Sequence, residues 1–372
     1  MSRTRRTFGN IRRLASGNYQ VRFTHPDGTY ITAPTTFSAR VDAERWLADR
    51  RREVETGEYR ATAPRVTFGE YSATWLAGRH VAGRPIKART REHYAAILDT
   101  HLLPVFGARP LTAITPAEVR AWHATTLADR PTMRSHAYSL LRTIFTSAVN
   151  DELIDANPCR IVGAGRSKRV HQIRPASIGE LGIITAAMPA RLALMVTLAS
   201  WCQLRFGEIV ELRRGDIDLS DEVIRIRRAA VRTRDDGYII TSPKSDAGTR
   251  DVDIPPHIIP LIEDHLAKYV AGERDALLFP ALGDDNAHLQ PSTLYRHWHK
   301  ARAAAGRKDL RFHDLRHSGA VLTAATGASL AELMARLGHS TPQAAMRYQH
   351  VAAGRGREIA ALLSKLADSA QQ

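Results

Sequence analysis

The amino-acid sequence predicts a mainly α protein with small β-sheets, and three observations point that way. Apolar residues recur at three- and four-residue spacing, most clearly at Ala137, Leu140, Leu141, Ile144, Phe145 and Ala148, which make one face of an amphipathic helix. Capping boxes at Thr67–Glu70, Thr115–Glu118 and Ser177–Glu180 mark helix starts. The alternating runs, by contrast, are short and closed by turn residues, as in small sheets.

Along the chain, residues 1–62 read as a module of their own. The first 26 residues hold six Arg and no acid. Tyr19–Phe23 alternates apolar and polar, His25-Pro26-Asp27-Gly28 is a turn signal, and Thr29–Thr32 reads as the returning strand. Ser38–Glu55, with Val41, Trp46 and Ala48 at helical spacing, reads as a helix. For residues 1–16 a disordered, Arg-rich arm is the competing reading. Residues 66–155 read as a bundle of four or five helices. A linker over 156–176 follows: between Ala156 and Gly179 there is no acid, while Arg160, Arg166, Lys168, Arg169 and Arg174 are all present. It is either a strap around a polyanion or a solvated tether.

A larger mixed α/β domain is expected over 177–372. It is helical to Leu212, and strands follow at Val223–Arg227, Tyr238–Thr241 and Arg250–Ile254, the first two bracketing a turn at Asp235-Asp236-Gly237. Helices return at Pro256–Val270, Ser292–Ala305, Asp314–Ala325, Ser329–Leu337 and Thr341–His350. The tail from Gly356 carries an apolar stripe of Ile359, Ala360, Leu362, Leu363 and Leu366. It packs either on its own domain or on a neighbouring subunit.

The chain has 372 residues, 44% of them hydrophobic, with 53 Lys+Arg against 38 Asp+Glu and a formal charge of +15. That suits two or three packed domains and argues against disorder. The basic excess makes nucleic acid the expected partner. Two Cys, Cys159 and Cys202, support neither a disulfide framework nor a Cys-based zinc site, which fits a reducing cytosol. The longest apolar stretch, Leu192 to Cys202, is about half of a bilayer span. No apolar segment follows the early Arg residues as a signal peptide requires. The expectation is a soluble intracellular protein with no membrane partner.

Four stretches carry residue types suited to chemistry: Leu204-Arg205-Phe206-Gly207-Glu208, Ser242-Pro243-Lys244-Ser245, His313-Asp314-Leu315-Arg316-His317, and Leu337-Gly338-His339-Ser340 followed by Tyr348. Taken singly each has an ordinary reading. Arg205–Glu208 is a helical ion pair, Lys244 solvated charge, Gly338 a helix C-cap, and Tyr348 one of ten tyrosines. Their order, Arg, Lys, His-x-x-Arg, His, Tyr, resembles the catalytic set of the tyrosine recombinases, the phage-integrase family of site-specific DNA recombinases. The resemblance spans nearly the whole chain, and its most specific segment is Arg336-Leu337-Gly338-His339-Ser340 with Tyr348. One departure is Gln203, where family members often carry Gly.

The resemblance implies an N-terminal three-stranded sheet plus helix that grips arm-type DNA sites, a helical, SAM-like core-binding domain and a mixed α/β catalytic domain. It implies Tyr348 as nucleophile, linked to the 3′ phosphate, with Arg205 and Arg316 on the non-bridging oxygens. Lys244 would protonate the leaving 5′ oxygen, His313 would assist Tyr348, His339 would donate to the phosphate, and Glu208 would orient its neighbours. These residue types suit the reaction. A phenol near pKa 10 must shed its proton to attack, and guanidiniums stay charged while donating paired hydrogen bonds.

Neither cofactor nor metal is expected. There is no phosphate-binding G-x-x-x-x-G-K-[S/T] loop, and His313 with His317 lack the Glu of H-E-x-x-H, so His317 is expected to pack or hydrogen-bond locally. Expected DNA contacts are Arg5, Arg6, Arg12, Arg13, Arg166, Lys168, Arg169, Arg225 and Arg227. Expected partners are double-stranded attachment sites, three further subunits in a tetramer that exchanges its tail helices in trans, an excisionase and a host DNA-bending factor, all in a bacterial cytoplasm. The competing functions are a non-catalytic DNA-binding relative and a type IB-like topoisomerase.

Overall fold

The computed structural model describes residues 8–26, 28, 30–56, 66–167, 174–243 and 246–349, with 360, 361, 363, 364 and 368 in the tail. In the N-terminal module, β1 (Gly9–Arg13), β2 (Tyr19–Thr24) and β3 (Tyr30–Thr32) form an antiparallel sheet that packs against α1 (Arg40–Glu55). The period of two divides its faces. Val21, Phe23 and Ile31 are buried with Ala43 and Leu47, while Asn10, Arg12, Arg22, Thr24, Tyr30 and Thr32 are exposed. Residues 9–13, for which a disordered arm competed, are thus a strand; Arg5 and Arg6 lie outside the described residues.

The helical region contains α2 (Phe68–Gly78), the small hairpin β4 (His80–Val81) and β5 (Arg84–Pro85), and α3 (Ala88–Ile97). A π-turn at Leu98–Leu102 leads into α4 (Leu103–Phe106), followed by α5 (Pro116–Thr125) and α6 (Pro131–Asn150). The capping boxes expected at Thr67 and Thr115 are formed, with Glu70 and Glu118 closing them at 2.9 and 2.8 Å. Phe68, Phe106, Trp122 and Phe145 centre the core.

The expected linker is not free at its start. Asn157 Nδ2 donates to Arg142 O at 2.9 Å, Ile161 N donates to Tyr138 Oη at 2.7 Å, and Cys159 is buried in the same core. Short apolar residues among the basic ones bind this stretch to α6, which a reading weighted toward charge and Gly overlooks. Lys168 and Arg169 lie outside the described residues, and Arg166 is exposed.

The remaining unit begins with α7 (Ile178–Ala186), α8 (Ala190–Trp201) and α9 (Phe206–Glu211). Its strands are β6 (Ile217–Asp218), β7 (Val223–Ile226), β8 (Ala229–Arg232), β9 (Tyr238–Thr241) and β10 (Arg250–Asp253). It continues through α10 (Ile259–Tyr269), the hairpin β11 (Pro280–Ala281) and β12 (Asp284–His288), α11 (Pro291–Ala304), α12 (Phe312–Ala325), α13 (Leu330–Leu337) and α14 (Pro342–Gln349). One expectation is corrected here. The turn at Asp235–Gly237 joins β9 to β8, not to β7, which instead lies between β10 and β6. Ala229-Ala230-Val231 is a short apolar run beside Arg227-Arg228, and the charge masks it.

Helix α12 crosses α8 at Gly319, where a Cβ would stand 1.7 Å from the Ser200 carbonyl oxygen. Gly319→Ala must therefore push these core helices away from each other, at a cost of about 1–3 kcal/mol or more. A urea midpoint equal to the parent's would refute that crossing. Of the tail, Ala360, Ala361, Leu363, Ser364 and Asp368 are helical and exposed; Ile359, Leu362 and Leu366 lie outside the described residues. No helix among the described residues is long and apolar enough to cross a membrane.

Candidate active site

The site is assembled around the C-terminal end of α13. Leucines, alanines and a methionine make that helix amphipathic, Ser329 and Glu332 cap its start, and Gly338 ends it at φ +60°. A Cβ on Gly338 would lie 2.7 Å from Ala247 O, so the left-handed turn and the tight approach both require glycine. The last carbonyls of a helix have no partner within it. Here three successive ones are each taken by a different arginine. Arg250 Nε donates to Arg336 O at 2.9 Å, Arg316 Nη2 donates to Leu337 O, and Arg205 Nη2 donates to Gly338 O at 3.1 Å.

Each arginine arrives from a separate element. After α8 the chain reverses at Gln203, which adopts φ +50°. That left-handed backbone accounts for the glycine the family often carries here. Gln203 tolerates it because its Nε2 donates to Trp201 O and Thr323 Oγ1, both at 3.0 Å, and its carbonyl accepts from Arg316 Nη1. Arg205 then stands at the start of α9, where Glu208 accepts from its backbone N at 2.9 Å and its Nη1 at 2.8 Å.

Glu208 is itself buried, and Arg250 on β10 closes on both its oxygens, Nη1 on Oε1 at 3.2 Å and Nη2 on Oε2 at 3.0 Å. Burial pushes the Glu208 carboxyl up, but Arg250 and Arg205 outweigh it and bring it down to about 2. Arg316 is buried on α12; burial, with Arg205 and Arg250 near, lowers its guanidinium to about 9, still charged at neutral pH.

The aromatic half of the site faces this cluster. His339 directly follows Gly338, and its ring lies 6.5 Å from that of Tyr348 at an interplanar angle of 23°. Tyr348, on α14, is 4% exposed and packs with Ala320, Ala324, Leu333 and Leu337. Its hydroxyl hydrogen-bonds His317 Nδ1. His313 stands one turn earlier on α12, exposed, its ring edge-on to His317 at 5.1 Å.

Arg205 and Glu208 at α9, Arg316 on α12, His339 in the turn after α13 and Tyr348 on α14 are thus gathered into one place. Lys244 lies outside the described residues, in the connection between β9 and β10. Two residues that sequence reasoning passed over belong here. Arg250 carried only the signal of a basic residue alternating into a strand, and His317 was expected to bond locally, whereas its partner is 31 positions away.

Three family models match the chain: phage integrase, N-terminal domain, over residues 7–56; phage integrase, N-terminal SAM-like domain, over 67–126; and the phage integrase family over 176–355. The prophage phiRv2 integrase of Mycobacterium tuberculosis is 57% identical over 99% of this chain and 98% of its own length. The chain belongs to the phage integrase family of tyrosine recombinases. The integrase of Mycobacterium phage D29 is 36% identical, covering 99% of both chains.

Among solved structures, a Tn1549 transposon integrase in complex with transposon right end DNA aligns with a TM-score of 0.66 at 16% identity, over 81% of this chain and 100% of that one. A lambda integrase dimer bound to a COC′ core site aligns at 0.55 and 19% identity, over 93% and 96%. These two share the fold.

Not every basic residue of this recombinase is disposed as expected. Arg12 and Arg13 are exposed on β1. Arg225 is held by Asp218 at 2.7 Å and Asp221 at 3.2 Å, and Arg227 by Asp251 at 2.6 Å. As phosphate contacts they would first have to release these aspartates. Among the described residues no cluster of His, Cys, Asp or Glu could hold a metal ion. Cys159 and Cys202 are buried free thiols, pushed up by burial to about 12, which makes them poor nucleophiles.

Proposed function

We propose that this site-specific recombinase cuts and rejoins DNA strands through Tyr348, integrating or excising phage or mobile-element DNA. What supports the reading most is the convergence of Arg205 and Arg316 on adjacent carbonyls beside His339 and Tyr348. Tyr348 Oη passes its proton to a neighbouring imidazole as it attacks the scissile phosphorus, an Oη–P bond forms, and the P–O5′ bond breaks, leaving a 3′-phosphotyrosine and a free 5′ hydroxyl. The negative charge gathering on the non-bridging oxygens is met by Arg205 and Arg316, with His339 as a further donor. Glu208 holds Arg205 in place, and Lys244 protonates the departing 5′ oxygen. The link conserves the phosphodiester, so rejoining needs no nucleotide cofactor.

The N-terminal sheet is the arm-site reader in this scheme. Its exposed face sets Asn10, Arg22 and Thr32 opposite one another across the strands, with Arg12, Thr24 and Tyr30 beside them. Such a face offers donors to base edges and charge to phosphates, without apolar residues other than the Tyr30 ring. DNA is the partner, in a bacterial cytoplasm. A tetramer exchanging tail helices fits the exposed Leu363, and an excisionase and a DNA-bending protein complete the proposed assembly.

The test is to incubate the chain with a library of nicked duplexes, recover denaturation-resistant adducts, sequence the DNA and map the linked peptide. The expected result is a short recurrent DNA motif joined to the peptide that holds Tyr348. A link at another residue, or adducts without a sequence preference, would refute the reading; the latter would indicate a relaxing topoisomerase.

A further inference from the structure

We propose that His317, rather than His313, takes the proton of the Tyr348 hydroxyl and is therefore a further catalytic residue of this recombinase. The proposal rests on the reading of Tyr348 as nucleophile and adds the group that activates it. Adjacent positions on α12 send their side chains to different regions of the site. Arg316 turns inward to the carbonyls of Gln203 and Leu337, while His317 meets α14, where its Nδ1 touches the Tyr348 oxygen. The two rings lie 5.7 Å apart at 40°, which keeps the imidazole beside the phenol. His313 meets His317 edge-on at 89°, so it braces the imidazole.

The burial of Tyr348 makes the acceptor matter. At 4% exposure the phenol cannot shed its proton freely to bulk water, so a protein group has to receive it. A neutral imidazole protonated on Nε2 presents the Nδ1 lone pair to the phenol. The proton passes from Oη to Nδ1 as the Oη–P bond forms and the P–O5′ bond breaks, and the site's acid protonates the 5′ oxygen. In the reverse direction an incoming 5′ hydroxyl returns its proton to the conjugate base of the site's acid as it attacks phosphorus, the Oη–P bond breaks, and the imidazolium returns its proton to Oη. His339, whose ring lies 6.5 Å from that of Tyr348, remains a phosphate donor in this scheme.

The experiment follows single-turnover adduct formation on the nicked duplexes recovered by trapping. It compares the parent with His317→Asn, His317→Ala and His313→Asn. Asparagine puts an acceptor oxygen near the place of Nδ1 yet cannot take a proton, so it separates packing from proton transfer. His317→Asn is expected to slow adduct formation about 10²–10⁴-fold at neutral pH with gel-shift affinity unchanged.

Replacing tyrosine by the more acidic 3-fluorotyrosine is expected to shrink that loss at least tenfold, and to leave any loss in His313→Asn unaltered. Parental or faster rates in both His317 variants would overturn the proposal and make the contact a store for an idle tyrosine. A loss that fluorination leaves untouched would overturn it too. Peptide mapping keeps the two readings apart: a link away from Tyr348 defeats both, whereas a Tyr348 link with an indifferent His317 defeats this one alone.

Discussion

Tyr348→Phe is expected to bind duplex as tightly as the parent and to form no covalent adduct, a loss on the order of 10⁴-fold or more for removing the nucleophile of a concerted set. The substitution deletes one oxygen. The ring stays among Ala320, Ala324, Leu333 and Leu337, so the packing of α14 on α12 and α13 persists. What disappears is the hydrogen bond to His317, at a stability cost of about 1 kcal/mol. Binding, carried by basic surface elsewhere, should not change. The measurement is a denaturing gel of adduct on a nicked duplex beside a gel shift on the same DNA. A surviving adduct would remove Tyr348 from the chemistry.

Arg250→Met carries the largest expected effect on stability. Glu208 is 3% exposed and keeps its charge because guanidiniums close on it from two sides. Without Arg250 the carboxylate retains only Arg205, while Arg336 O and Gly248 O lose a donor as well. Breaking one side of a buried charge pair typically costs about 3–5 kcal/mol.

The pH dependence has a definite sign. In the parent the Glu208 carboxyl lies at about 2, below its ordinary 4.5. Its contribution is therefore complete above about 4.5 and fades as pH falls toward about 2. In the variant, burial works against fewer positive partners, so the protonated form gains. The gap between parent and variant should be widest at neutral pH and narrow in acid. Urea unfolding at pH 7 and pH 4 reads it; a gap equal at both would show that Glu208 is not the residue through which Arg250 acts.

Much of this molecule is legible in its sequence, and the failures have a common form. The helices of 66–155 and 256–350 announce themselves through apolar spacing and capping boxes, because those signals are local. The ordered polar set was found for the same reason: His339 and Tyr348 share one short segment, as do His313 and Arg316. Partnerships across elements were not legible. Nothing near Arg250 indicates that it will grip Glu208, 42 positions away, and nothing near His317 indicates Tyr348. Charge also hid structure, both at β8 beside Arg227-Arg228 and where Ile161 and Cys159 fasten a basic stretch to α6. At Gln203 the departure from the family's glycine stood in the sequence, but its cause is a backbone angle.

The end of α13 has a consequence for how the charges of the site come to rest. A helix concentrates partial negative charge, roughly half an electron's worth, at its C-terminus. Arg250, Arg316 and Arg205 are held on that pole by its last carbonyls, with the Glu208 carboxylate as a second anchor. The three cations, which would repel one another in open solvent, thus share a negative field that exists without DNA. For the proposed reaction, an arriving phosphate meets guanidiniums already fixed in direction, and little dipole reorientation is left to the moment of bond exchange. The macrodipole of an eight-residue helix serves as a permanent counter-ion.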